Sequence, residues 1–112
     1  MAMLLEVFKH LFKKRATLMY PFGDREKIPV PEGLRGKISF NRDLCIGCGL
    51  CARFCPSGAA ELVEDEKGKR PIFHIDRCLF CAQCEEVCPR KAITLTKTFE
   101  IAGFDRSNLV VK

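Results

Sequence analysis

The sequence lacks the features of several common protein classes. No apolar run in the 112 residues approaches the roughly 18–20 that a transmembrane helix needs, so we expect no membrane span. Histidine occurs twice, and the histidine pair of a zinc finger is missing. The start does not read as a secretory leader, because Lys9 and the basic residues 13–15 interrupt its apolar stretch. We therefore expect a reducing compartment and no structural disulfides.

Cysteine, in contrast, is abundant, with eight in one short chain. Such a density indicates either a disulfide scaffold or a metal protein, and the expected compartment favours the metal protein. The length fits one domain. With 47% hydrophobic and 29% charged residues, the chain is not expected to be disordered.

The formal net charge of +5 does not indicate a nucleic-acid protein. The cysteine-bearing part, residues 45–90, carries six cations and seven anions, so the excess lies at the two ends. Metal clusters bound by thiolates would lower the net charge further. We therefore expect no nucleic-acid partner.

The cysteines form two copies of one motif, C-x₂-C-x₂-C-x₃-C-P, offset by 33 residues. The first copy holds Cys45, Cys48, Cys51, Cys55 and Pro56, and the second holds Cys78, Cys81, Cys84, Cys88 and Pro89. Two copies are too few for a solenoid, which needs at least three repeats to cover its core. A pair related by a pseudo-two-fold axis is the natural interpretation.

This motif is typical of iron–sulfur proteins. A [4Fe-4S] cluster needs four thiolates, and three at x₂ spacing can surround one cluster from a single loop, while the fourth serves the other cluster. Cluster one is predicted to bind Cys45, Cys48, Cys51 and Cys88, and cluster two to bind Cys78, Cys81, Cys84 and Cys55. Structural zinc is disfavoured because a third cysteine at this spacing would be surplus.

The residues around the cysteines fit this prediction. Gly47, Gly49 and Ala82 allow backbone N–H groups to approach the inorganic sulfurs. Apolar side chains are expected to exclude water from the clusters; they are Ile46, Leu50, Phe54, Leu79, Phe80 and Val87. No nucleophile, general base or open metal position is visible, and we interpret His10 and His74 as surface or hydrogen-bonded residues. The chain is therefore predicted to carry electrons and to have no active site of its own.

Each copy also predicts the same local structure. Apolar stretches at 37–40, 59–63, 71–75 and 92–96 indicate short strands, and residues 50–54 and 83–87 indicate single helical turns ended by proline. The polar stretch 64–70 indicates a hairpin turn. The sequence thus predicts an α+β domain over residues 37–97 with the bacterial-type 2[4Fe-4S] ferredoxin fold, a pseudo-two-fold βαβ repeat.

The flanking segments, residues 1–36 and 98–112, exceed what such a fold needs. Residues 3–14 predict a basic amphipathic helix, too short to be stable alone. It could dock on a partner subunit, lie at an anionic membrane surface or pack on its own ferredoxin core. Prolines in the segment 20–36 favour an extended docking arm over a disordered one. The apolar tail at 98–112 also predicts a docking segment.

The whole chain resembles the two-[4Fe-4S], ferredoxin-like subunit of complex I-type enzymes, the NADH:quinone oxidoreductases and the related membrane-bound [NiFe] hydrogenases. The resemblance rests on TLMYP at 17–21, Arg35–Gly36, the two cysteine runs and FEIAGFDRSNLV at 99–110. It implies a peripheral electron-relay subunit on the cytoplasmic side of the membrane. The eight cysteines match the family's cluster ligands one for one.

The resemblance also implies partners: a large catalytic subunit, a small cluster-bearing subunit and a membrane arm. The shortness of the chain suggests a compact, hydrogenase-like assembly with reduced soluble ferredoxin as its donor. Two alternatives remain at this point: a free soluble 2[4Fe-4S] ferredoxin and a polyferredoxin-like subunit of a soluble enzyme. The terminal acceptor is not encoded in this chain.

Overall fold

The computed structural model describes residues 2–112, with the backbone alone for Ala2. Its helices are α1 (Ala2–Leu11), α2 (Leu50–Arg53) and α3 (Gln83–Glu86), and its strands are β1 (Ile38–Phe40), β2 (Ala60–Asp65), β3 (Gly68–His74), β4 (Ile93–Leu95) and β5 (Val110–Val111). Single 3₁₀ turns lie at Arg25–Lys27, Ile75–Arg77 and Arg106–Leu109. The predicted α+β class is confirmed, and residues 38–95 contain two strand–helix–strand units.

The strands form two antiparallel sheets with matching registers. One sheet pairs β1 with β4, and the other has the order β2-β3-β5. Phe40 lies opposite Ile93 in the first sheet, and its repeat mate Phe73 lies opposite Ala60 in the second. The offset of 33 residues relates both pairs, so the sequence repeat is also a repeat of strand pairing.

A small core lies between the two sheets. It consists of Ile38, Cys51, Ala60, Phe73, Ile75 and Ile93. The rings of Phe40 and Phe73 approach to 6.1 Å between centroids, which joins the two repeats at matched positions. Alternation explains the inward faces, since Ser39 in β1 and Thr94 in β4 are exposed, whereas Ile38 and Ile93 are buried and Phe40 and Leu95 are half-buried.

The helix α1 extends away from this core. All of its described side chains are exposed, including Leu4 at 63% and Phe8 at 56%. The molecule is 71 Å long with a radius of gyration of 20.8 Å, against about 13 Å for a compact chain of this length. Packing of α1 on its own core, one of the three alternatives, is therefore not observed in the described part of the chain. Among residues 2–112, no helix is long and apolar enough to cross a membrane.

Helix α1 ends at Leu11, three residues before the predicted end. Continuing the helix would place Lys13 one turn from Lys9 and Lys14 one turn from His10. Like charges at this spacing disfavour a helix, and here no packing offsets the repulsion.

The arm and the tail contact each other within the chain. The Tyr20 hydroxyl donates to Glu100 Oε1 at 2.6 Å, and Arg25 forms an ion pair with the same carboxylate. Hydrogen bonds from Gly36 N to Thr96 O and from Lys37 N to Thr98 O continue the β1–β4 pairing toward the tail. The segment 20–36 therefore contacts the tail of its own chain, and it contains the 3₁₀ turn Arg25–Lys27 where a fully extended path was expected.

The end of the tail adds a strand that the sequence did not predict. β5 pairs with β3, with Val111 opposite Phe73 and Val110 opposite His74. The hairpin also differs from the prediction, because β2 and β3 continue through most of the polar stretch and leave only residues 66 and 67 between them. The end of the tail, Val110–Val111, therefore belongs to the sheet of the ferredoxin-like unit.

Candidate iron–sulfur centres

The cysteine loops adopt the same backbone path in the two repeats. Three pairs of matched residues have positive φ: Gly47 at 71° and Phe80 at 50°, Gly49 at 75° and Ala82 at 66°, and Gly58 at 62° and Lys91 at 49°. The first two pairs lie between the cysteines of each loop, and the third follows each Cys-Pro. This left-handed backbone lets the loops curl around a central space.

Two cavities lie inside these loops, and each is lined by four cysteines. Cavity one is lined by Cys45, Cys48, Cys51 and Cys88, and cavity two by Cys55, Cys78, Cys81 and Cys84. Each cavity thus takes three cysteines from one repeat and the fourth from the other. The fourth cysteine reaches across because it follows the helical turn, α2 or α3, that leads away from its own loop.

Hydrogen-bond donors point at the cysteine sulfurs. In cavity one, Gly47 N lies 3.4 Å from Cys45 Sγ and Ala92 N lies 3.3 Å from Cys88 Sγ. In cavity two, Phe80 N lies 3.4 Å from Cys78 Sγ, and the Ser57 hydroxyl lies 3.6 Å from Cys55 Sγ. Such donors stabilise a thiolate over a thiol.

Burial and hydrogen bonding shift the pKa values of four of the thiols. Burial raises the pKa of Cys51 and of its repeat mate Cys84 to about 11, and it raises the pKa of Cys78 as well. Burial also raises the pKa of Cys55, but hydrogen bonds from the Ser57 hydroxyl and from nearby backbone N–H groups outweigh it, so that its pKa is lowered. Because iron binds thiolates, filling the cavities must release the protons of the buried thiols.

The cavities fit a cluster better than a single ion. Within residues 2–112, no three histidine, cysteine or carboxylate side chains are grouped closely enough to hold one metal ion. The four thiols of each set instead surround a space whose other walls are mostly apolar, among them Ile93 in cavity one and Phe73 in cavity two. Four separate thiolates, an apolar wall and N–H donors are the ligand set and environment of a [4Fe-4S] cluster.

The expected exclusion of water is incomplete on the outer side. Ile46 and its repeat mate Leu79 line the cavities but are 63% and 66% exposed, and Phe54 is 51% exposed. Cys48 and Cys81 are also exposed. Each cavity therefore has one apolar edge at the surface of the chain.

The two histidines lie outside the cavities. His10 is exposed on α1. His74 is half-buried, with Nε2 3.4 Å from a Glu61 carboxylate oxygen. His10 is thus a surface residue, and His74 lies beside a polar partner.

Three residues near the cavities were not singled out in the sequence. The Arg42 Nη1 group lies 3.4 Å from the Cys45 carbonyl oxygen, Arg90 lines cavity one, and Ser57 contacts Cys55. The 33-residue offset relates Ser57 to Arg90, each two residues after the last cysteine of its run. That spacing could have identified Ser57 and Arg90 from the sequence, whereas nothing in the sequence indicates that Arg42 lies near a cavity.

Comparison with known proteins agrees with this geometry. Residues 44–92 match the 4Fe-4S dicluster domain. The chain is 46% identical over 118 residues to NADH-quinone oxidoreductase subunit I of Pseudomonas savastanoi pv. phaseolicola, and the match covers 96% of this chain and 63% of the relative. The subunit I 1 of Nitrosococcus oceani is 47% identical over 115 residues, with 93% and 62% covered. The chain thus spans somewhat less than two thirds of the length of these relatives.

A solved structure has a similar fold. A chain of the membrane-bound sulfane sulfur reductase, an archaeal respiratory membrane complex, superimposes with a TM-score of 0.65 at 28% identity. The match covers 91% of this chain and 55% of that chain. The fold, the dicluster motif and the relatives therefore all indicate a protein with two [4Fe-4S] clusters.

Proposed function

We propose that this chain, a two-[4Fe-4S] dicluster protein of the family that includes NADH-quinone oxidoreductase subunit I, relays electrons as a subunit of a membrane-bound oxidoreductase. The observation that carries the proposal is the pair of four-cysteine cavities inside one small domain. Each bound cluster supplies a site that takes up and gives back one electron. Two such sites side by side make a relay.

The ligands that we propose follow the linings of the cavities. Cys45, Cys48, Cys51 and Cys88 hold cluster one, and Cys78, Cys81, Cys84 and Cys55 hold cluster two. The backbone N–H groups at the sulfurs favour the thiolate form, and the apolar walls exclude water from the inner sides. All eight cysteines are used, so neither cluster has a position for a substrate.

The exposed edges support exchange of electrons with other chains. Ile46 and Leu79 each place an apolar surface beside a cavity, where a partner can dock without a thick insulating layer. We propose that reduced ferredoxin donates electrons at one edge. At the other edge, the electrons pass to a cluster-bearing small subunit beside the catalytic large subunit. The position of the chain is peripheral, on the cytoplasmic side.

The N-terminal segment supports assembly into a larger complex. An apolar helix face in water is costly, and α1 exposes Leu4, Val7, Phe8 and Leu11 together. A freely diffusing ferredoxin has no use for such a face. We propose that residues 1–36 dock the relay on the membrane arm of the complex and that residues 37–97 form the ferredoxin domain. Residues 98–112 form a docking tail that also holds the N-terminal segment 20–36 in place.

A matched pair of variants tests this assignment in the native complex. Phe8→Asp places a charge on the apolar face of α1, and His10→Asp places the same charge on its polar face. Because a buried aromatic side chain contributes about 3–5 kcal/mol, Phe8→Asp should reduce recovery with the membrane complex more than tenfold while leaving iron content unchanged. His10→Asp should assemble normally.

Two results would count against the proposed function. Equal assembly of both variants would show that α1 does not dock through its apolar face. Recovery of the wild-type chain as a soluble monomer that transfers electrons between separate enzymes would establish the free ferredoxin instead.

A further inference from the structure

The two cavities share a backbone but differ in the charge around them. Matched segments that differ by the 33-residue offset surround each one: 42–54 with 88–92 at cavity one, and 75–87 with 55–59 at cavity two. The first pair of segments carries Arg42, Arg53, Arg90, Lys91 and Asp43, and the second carries Arg77, Asp76, Glu85 and Glu86. The cavity-one segments are net positive and the cavity-two segments net negative.

Two of the cations at cavity one are close to its cysteines. Arg42 points Nη1 at the Cys45 carbonyl oxygen, and its Nε and Nη2 atoms are buried with no hydrogen-bond partner among the described residues. Buried N–H groups of a guanidinium that lack partners are costly unless an anion lies nearby. Arg90 lines the cavity itself. At the matched positions cavity two has a buried isoleucine, Ile75, and the neutral Ser57.

The anions at cavity two are only partly neutralised. Asp76 lies 3.9 Å from Arg106, and Arg77 lies 2.9 Å from Glu61. The charges of Asp76 and Arg77 are therefore each compensated by an ion pair. Glu85, directly after Cys84, is half-buried and accepts a hydrogen bond from Leu95 N at 3.3 Å. It places a carboxyl group beside Cys84, which lines cavity two.

Two groups act in the opposite direction at cavity two. Arg35 donates to the Cys81 carbonyl oxygen at 3.3 Å, and the Ser57 hydroxyl contacts Cys55. Arg35 is exposed, as Arg90 is, but unlike Arg90 it does not line its cavity, so water and salt screen its charge more effectively. A hydroxyl supplies a dipole and not a full charge, and its effect is smaller than that of a buried guanidinium.

We infer that the cluster held in cavity one has the higher midpoint potential, because Arg42 and Arg90 stabilise the negative charge that reduction adds there. The inference rests on the proposed function, in which both cavities hold [4Fe-4S] clusters. One electron passes from cavity two to cavity one; the first site is oxidised by one electron and the second is reduced by one. No bond forms or breaks and no proton moves. A chain carrying a single electron holds it in cavity one.

A redox titration of the purified cluster-loaded protein, followed by electron paramagnetic resonance, tests this inference. Arg42→Ile with Arg90→Ser gives cavity one the residues that cavity two has at the matched positions. The double variant should shift the higher of the two midpoint potentials to a more negative value and leave the lower one in place. Arg42→Lys, which keeps the charge at position 42, should leave the higher potential close to its wild-type value, and Lys14→Ser, which removes a distant charge, should move neither potential.

Arg90→Ser alone, at an exposed position, provides the test if Arg42→Ile does not fold. A shift of the lower potential, or of neither, would overturn the inference while two clusters per chain remain. Fewer than two clusters by iron and sulfide analysis of the wild type would instead overturn the proposed function, and the inference with it. The two failures are therefore distinguishable.

Discussion

The two repeats fold alike around their cysteines but use different residues where the backbone is least favourable. Matched hydrogen bonds hold both, such as Asn41 N to Ala92 O and His74 N to Ala59 O, each at 2.8 Å. The first repeat has glycine at all three positions of positive φ, whereas the second has Phe80, Ala82 and Lys91. A side chain in this region costs about 1–2 kcal/mol. The loop geometry therefore persists where glycine is absent.

The neighbours of each glycine explain part of this difference. A Cβ atom on Gly47 would lie 2.6 Å from the Lys69 carbonyl oxygen, because the β2–β3 hairpin passes over the first loop. A Cβ atom on Gly58 would meet nothing within 4 Å. Glycine is thus required by a close backbone at one position and favoured by φ alone at another. Gly47 is therefore required by a steric contact, and Gly58 is favoured only by its backbone conformation.

The largest effect is expected from the cysteines that cross between repeats. Cys55→Ser should damage the cluster of cavity two although Cys55 belongs to the first run, and about half of the eight irons should be lost. Its paramagnetic spectrum should match that of Cys78→Ser and differ from that of Cys45→Ser. A Cys55→Ser spectrum like that of Cys45→Ser would refute the crosswise ligand sets.

A smaller effect is expected at the glycine that the hairpin covers. Gly47→Ala brings a methyl group against the Lys69 carbonyl oxygen, which belongs to the backbone and cannot rotate away, so we expect a loss of about 2–4 kcal/mol. Gly49→Ala is the matched control, because its nearest neighbour, at 3.0 Å, is the flexible end of Leu62. Denaturant midpoints for loss of cluster absorbance measure both. Equal losses would show that the hairpin does not press on the first loop.

The smallest effect is expected at the pair that faces open space. Gly58→Ala should cost about 1 kcal/mol, since only its left-handed backbone opposes a side chain. Lys91→Gly, at the matched position, should be neutral or stabilise by less than about 1 kcal/mol, because relief of strain is offset by a more flexible unfolded chain. The same denaturant titration compares them. A loss of stability in Lys91→Gly would show that the lysine side chain contributes contacts of its own.

The sequence was most informative where structure is local. The cysteine runs with their prolines identified the loops, and the apolar stretches at 37–40, 59–63, 71–75 and 92–96 predicted four of the strands. The presence of two [4Fe-4S] clusters follows from the same runs and is confirmed by the dicluster match. These features depend on residues only a few positions apart.

The remaining features depend on distant residues. Strand β5 has two residues, and it forms because β3 offers an edge, so no local pattern predicts it. Tyr20 and Glu100 are 80 residues apart, and neither is unusual in its own neighbourhood. Arg42 resembles an ordinary surface cation until the buried position of its guanidinium is seen. Tertiary pairing decides all three.

The interlocked linings of the cavities have a consequence for biosynthesis. Cavity one needs Cys88, near the end of the second run, so it cannot be complete on a ribosome that has made only the first repeat. Cavity two needs Cys55 from the first run. Neither repeat can therefore acquire a full set of four thiolates by itself during translation. With the ligand sets proposed above, we expect both clusters to be completed only after both runs have been synthesised, and the thiols of the nascent first repeat to stay reduced until then.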